Sequence, residues 1–69
     1  MKTSARNVFK GKISAMKKGP VNTEVTLNLP GGVEIVATVT TTSADNMGLK
    51  EGLDATAMVK ATQVILITE

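Results

Sequence analysis

The side chains here that can do chemistry are cations and hydroxyls, and the cations are unevenly placed. Six of the eight basic residues (Lys2, Arg6, Lys10, Lys12, Lys17 and Lys18) fall within residues 1–18, where there is no acid, so that segment carries +6. Residues 19–69 hold Lys50, Lys60 and all six acids, which makes them −4. A basic arm of this kind draws an anionic partner. Lysines on a strand also keep a sheet edge from aggregating. For Lys10, Lys12, Lys17 and Lys18 both roles stay open.

The missing residue types exclude more. There is no Cys, His, Trp or Tyr, and Phe9 is the only aromatic residue. A disulfide framework is therefore ruled out. So are a Cys/His zinc site and any nucleophile–base pair built on Cys or His. The Lys, Ser and carboxylate spacings set no nucleophile beside a base. The expectation is a binding protein rather than an enzyme, with no directly coordinated metal cation. With 69 residues the chain makes one domain, 1–69, with a modest core, and chains of this size lean on oligomerisation when disulfides and metals are missing. The N-terminal residues lack the apolar run of a secretory leader. Val64-Ile65-Leu66-Ile67, the longest mostly apolar stretch, is too short to span a bilayer. No membrane association is expected, and the expected location is the cytoplasm.

The elements that must position these residues read as all-β. From Val8 to Met16 the chain alternates, with Phe9, Gly11, Ile13 and Ala15 on one side and Lys10, Lys12 and Ser14 on the other; period two with one polar face predicts a half-buried strand. Lys18-Gly19-Pro20 breaks it. Val21 to Leu29 alternates more cleanly, Pro30-Gly31-Gly32 supplies a hairpin turn, and Val33 to Thr40 predicts a third strand. Residues 41–48 fit one or two helical turns, with Ser43 as N-cap, Gly48 as the stop, and Met47 and Leu49 plugging the core. Leu53 to Lys60 alternates again. Gln63 to Thr68, rich in β-branched residues, predicts a fifth strand. Five short strands with a small helix between the third and fourth outline an OB-like barrel. One function of such a barrel is binding single-stranded nucleic acid through the basic arm, but that mode stacks bases on aromatic side chains. Phe9 alone, on the apolar side of its strand, makes a poor platform.

Several segments carry a resemblance. Ser4-Ala5-Arg6-Asn7 precedes the first strand, and Lys10-Gly11-Lys12 lies within it. Lys18-Gly19-Pro20-Val21-Asn22-Thr23-Glu24-Val25 and Gly48-Leu49-Lys50-Glu51-Gly52 follow, and Val59-Lys60-Ala61-Thr62-Gln63-Val64-Ile65-Leu66 closes the series. Together, in order and over nearly the whole chain, they resemble the molbindins, small cytoplasmic molybdate-binding proteins built of one transport-associated OB (TOBE) domain.

The resemblance implies a ligand set. Molybdate is a tetrahedral dianion with four acceptor oxygens and no proton at neutral pH, so its site needs donors and positive charge and no inward carboxylate. By resemblance, Ser4, Arg6, Lys60 and the backbone N–H groups of Ala5 and Ala61 come from one subunit; the guanidinium fork suits an oxyanion better than a point charge does. Two hydroxyls spaced three apart, Thr40 and Ser43, come from a neighbouring subunit, Ser43 at a helix N-terminus. A second oxyanion site near a threefold axis is implied for the loop at Gly19, Val21 and Asn22. The family also implies a homo-oligomer, a hexamer built as a trimer of dimers. It further implies molybdate or tungstate as bound ligand with no covalent cofactor, and a role in storage and homeostasis. Each residue also has an ordinary structural role: Ser43 as a cap, Lys60 as a solvated face residue, Arg6 in a mobile terminus, Asn7 in the turn into the strand.

Overall fold

A computed structural model describes residues 2–69. It contains β1 (Asn7–Lys18), β2 (Asn22–Asn28), β3 (Glu34–Thr40), a short helix α1 (Thr41–Met47) and β4 (Asp54–Val59), followed by a 3₁₀ turn at Ala61–Gln63. All neighbours are antiparallel in a four-stranded sheet of order β3-β2-β1-β4.

The long first strand organises the sheet by splitting its pairing. Asn7–Lys12 pairs with β4, from Asn7↔Val59 to Lys12↔Asp54. The other half pairs with β2, from Lys12↔Asn28 to Lys18↔Thr23. The strand runs past both ends of the expected Val8–Met16 because each half finds a partner. The predicted alternation fails at one point. Pairing steps from Ile13↔Leu27 to Ala15↔Thr26, so Ser14 is an extra residue. This β-bulge moves the later side chains to the other face. Ala15 is exposed and Met16 packs on the core instead.

The core is thin. Ile13, Val25 and Leu27 are its buried centre, and Met16, Leu29, Val39, Leu49, Leu53, Ala55 and Ala57 pack around them. Leu49 takes the predicted position, but Met47 is 66% exposed and plugs nothing. Gly48 ends the helix in the left-handed region at φ 67, its N–H donating to the carbonyls of Ala44 and Asp45. That turn swings Leu49 inward and leaves Met47 on the solvent side of α1.

The predicted fifth strand and closed barrel are not formed. After the 3₁₀ turn, residues 64–69 take no regular structure, and Ile65, Leu66 and Ile67 are 86%, 87% and 89% exposed. High β-propensity records how well a side chain fits a pleated surface and supplies no partner strand. The open sheet explains a second departure. Phe9 lies opposite Ala57 on the inward face, yet remains 36% exposed.

Gly11 marks the tightest approach in the sheet. A Cβ there would sit 2.5 Å from the Asn28 carbonyl oxygen and 2.9 Å from Leu29 Cδ2. The backbone atom cannot move without disturbing the β1–β2 ladder. Gly11→Ala is expected to destabilise the fold by about 1–3 kcal/mol, the usual penalty for overpacking, measured by urea unfolding with an unchanged m-value.

Candidate functional site

The pairing of Asn7 with Val59 brings together two segments from opposite ends of the chain. The residues just before β1 and just after β4 therefore sit side by side. Ser4, Ala5, Arg6, Lys60 and Ala61 all line one open cleft of about 480 Å³. An N–H···O bond of 3.3 Å from the Asn7 side chain to the Val59 carbonyl ties the two segments next to the cleft. Val59 is half-buried on the inward face of β4, so Lys60, the next residue, turns outward by strand alternation.

Electrostatically the lining of the cleft favours an anion over a cation. Two cations, Arg6 and Lys60, and three hydroxyl residues, Thr3, Ser4 and Thr62, line it, and no carboxylate does. Neither Arg6 nor Lys60 has an ion-pair partner among the described residues; the two ion pairs there are Lys12–Asp54 and Lys18–Asp45, both 3.1 Å and exposed. Of two other lysine-lined grooves, the one beside Gly11 contains the Asp54 carboxylate against Lys12, and the one beside Phe9 has Lys10 as its single charged residue. Among the described residues no group of three or more His, Cys, Asp or Glu could hold a metal ion.

The cleft also holds three residues that sequence reasoning missed: Thr3, Met58 and Thr62. The hydroxyl of Thr3 accepts a hydrogen bond from the Ala5 N–H at 3.1 Å, which shapes the arm. Met58 follows from strand parity alone, since it lies two residues before Lys60 on the same outward face.

Thr40 and Ser43 lie elsewhere. Thr40 pairs with Asn22 at the start of β2, and β2 begins beside Lys18, the far end of β1 from Asn7. Within one chain the two hydroxyls therefore sit at the opposite end of the longest strand from Arg6 and Lys60. The predicted cap is also corrected. Thr40, not Ser43, is the N-cap of α1: its Oγ1 accepts from the Ser43 N–H at 3.1 Å and donates to Ser43 Oγ at 2.8 Å. Thr40 still has the extended backbone of β3 (φ −67, ψ 147), which is the conformation a cap needs. Ser43 lies already inside the helix.

The loop at Gly19, Val21 and Asn22 is docked onto the start of α1. Thr41 Oγ1 donates to the Gly19 carbonyl at 2.7 Å, and the Thr41 N–H donates to the Val21 carbonyl at 2.8 Å. The fully buried Thr23 bonds to Thr41 Oγ1 at 2.8 Å. Because the Thr41 proton is committed to Gly19, Thr23 is the donor. The Gly19 N–H donates to Asn22 O at 2.9 Å, and Val21 is 70% exposed. The loop thus borders Thr40 and Ser43, not the Arg6–Lys60 cleft.

With this geometry in place, comparison with known proteins is direct. The TOBE domain family model matches residues 3–66, and the chain belongs to the TOBE domain family. Relatives of the same length are of the molbindin type. Molybdenum-pterin-binding protein 2 of Clostridium pasteurianum is 43% identical over 67 residues, covering 97% of this chain and 98% of that protein. The molybdenum transport protein ModE of Herbaspirillum seropedicae is 52% identical over 69 residues, but this chain spans only 26% of its length. Among solved structures, a molybdate-binding protein from Sporomusa ovata superposes with a TM-score of 0.91 at 32% identity, covering 99% of this chain and 100% of that one.

The capping assignment has a measurable consequence. Thr40→Ala is expected to cost about 1 kcal/mol of stability and Ser43→Ala less than half of that, since an N-cap hydroxyl satisfies an orphan helix N–H and a first-turn hydroxyl does not. Thermal unfolding of the two variants side by side checks it.

Proposed function

We propose that this chain binds molybdate, and tungstate equally, as a cytoplasmic protein of molybdenum storage and homeostasis. In this reading it is a carrier of the oxyanion rather than a catalyst. The observation that supports it most is the cleft in which Ser4, Arg6, Lys60 and the Ala61 backbone converge without a carboxylate; the Ala5 N–H joins them by giving up its bond to Thr3 Oγ1. A tetrahedral dianion presents acceptors only, and this lining presents donors. Hydrogen phosphate is disfavoured because its own O–H takes one oxygen away from the cations and meets no carboxylate acceptor in the lining. The relatives point the same way: the matching-length Clostridium protein is named for molybdenum-pterin binding, and the Sporomusa structure is of a molybdate-binding protein.

In the same reading the site is shared between copies of the chain, in a homo-oligomer arranged as a hexamer of three dimers. Two features support this. The cleft is open to solvent, so one chain by itself leaves part of an anion's surface uncovered. The hydroxyls of Thr40 and Ser43, at the other end of β1, supply what is missing when they come from a neighbour. The apolar residues Ile65–Ile67, more than 85% exposed, are the type of surface that subunit contact covers. Gly19, Val21 and Asn22 form a second oxyanion site in this assembly.

Titration calorimetry with molybdate, tungstate, sulfate and hydrogen phosphate tests the reading. Molybdate and tungstate are expected to bind alike and hydrogen phosphate much more weakly. Lys60→Ala should weaken molybdate binding by roughly tenfold or more, the loss of one charge-assisted contact, with the oligomer mass unchanged by light scattering. A monomer that binds molybdate tightly, or hydrogen phosphate binding as well as molybdate, overturns it.

A further inference from the structure

We infer that Met58 sets the preference of this cleft among tetrahedral dianions; the inference rests on the oxyanion reading above. The type of polar group in the lining does not make that choice, and donor spacing reads anion size alone. Ser4, Arg6, Lys60 and the backbone amides offer hydrogen bonds and charge, and sulfate, molybdate and tungstate all present four acceptor oxygens and two negative charges. Discrimination must come from a group that responds to size, hydration or polarisability. Among the residues lining the cleft, Met58 is the one large apolar side chain.

Its placement follows from strand parity. In β4, Ala55, Ala57 and Val59 turn inward, while Asp54, Thr56 and Met58 turn outward. Met58 therefore shares the outward face with Lys60. Across the ladder it lies opposite Val8, which is 41% exposed, and Met58 itself is 48% exposed. A methionine and a valine paired on the solvent face of a sheet bury nothing in the core. The Met58 side chain instead forms an apolar wall beside the two cations.

Such a wall acts in two ways. It cannot replace the water it displaces, so the more strongly hydrated, smaller sulfate loses more on entering than molybdate does. The thioether is polarisable and has three rotatable bonds, so it closes on a larger anion and gains more dispersion from the more polarisable one. Both effects favour molybdate and tungstate over sulfate, with no donor dedicated to the distinction.

The test is a ratio. Molybdate and sulfate affinities are measured by calorimetry on the wild-type oligomer and on Met58→Thr and Met58→Leu, with circular dichroism and light scattering confirming fold and mass. Thr suits an outward strand position and offers the hydration that Met denies. Met58→Thr should lower the molybdate-to-sulfate affinity ratio by about tenfold, while Met58→Leu, of similar volume and equally apolar, should hold it within about threefold. If both anions weaken by the same factor in Met58→Thr, or neither changes, Met58 does not set the preference and the inference is overturned while the oxyanion reading stands. If the wild-type oligomer binds neither anion, the oxyanion reading itself falls and takes this inference with it.

Discussion

Everything in this molecule depends on the antiparallel pairing of β1 with β4. It joins Asn7 to Val59, two positions that have no local reason to meet. The loop that this contact closes spans most of the chain, so its entropy must be recovered from the ladder and the apolar residues packed beneath it. Register matters as much as contact. A slip of one residue would send Lys60 and Met58 inward and turn Val59 out to solvent, because side chains alternate with period two. Burial of the Ala55, Ala57 and Val59 face therefore holds Lys60 in the cleft, though none of the three lines it.

The second constraint is the economy of the core. Among the described residues only Ile13, Val25 and Leu27 are buried at its centre, and the sheet is left open where a fifth strand was expected. The bulge at Ser14 is part of the same solution. It bends β1 between its two partners and rotates Met16 inward, which gives β1 two different apolar faces along its length. An open sheet of this size leaves apolar side chains facing water, and Ile65–Ile67 are the most exposed of the large ones among the described residues. A subunit contact is the physical remedy for such a surface.

The far end of the sheet is organised by hydrogen bonds rather than by apolar burial. Thr23, Thr41 and the Gly19 carbonyl form a satisfied chain beneath the start of α1, and buried polar groups tolerate little else. Thr40 is both the last residue of β3 and the cap of the helix, so its hydroxyl and that of Ser43 are held together at 2.8 Å. The two halves of the proposed site thus rest on different physics. Strand register positions the cations, and helix capping positions the hydroxyls.

The sequence by itself determined the all-β class, the turns at Gly19-Pro20 and Pro30-Gly31-Gly32, the short helix stopped by Gly48, and the donor chemistry of Ser4, Arg6 and Lys60. These follow from period-two patterning, from backbone preferences of Gly and Pro, and from residue types, all of which are local. Tertiary structure alone decided the remainder. The bulge at Ser14 was invisible because one extra residue leaves the composition of an alternating strand unchanged. Thr40 displaced Ser43 as the cap because the end of β3 already supplied the extended backbone a cap requires. The segment after Gln63 has the composition of a strand but lacks a neighbour within the chain, and pairing is a property of two segments. Strand alternation puts Met58 on the outward face of β4, but only the Asn7–Val59 register sets Arg6 beside that face and makes it one wall of the cleft.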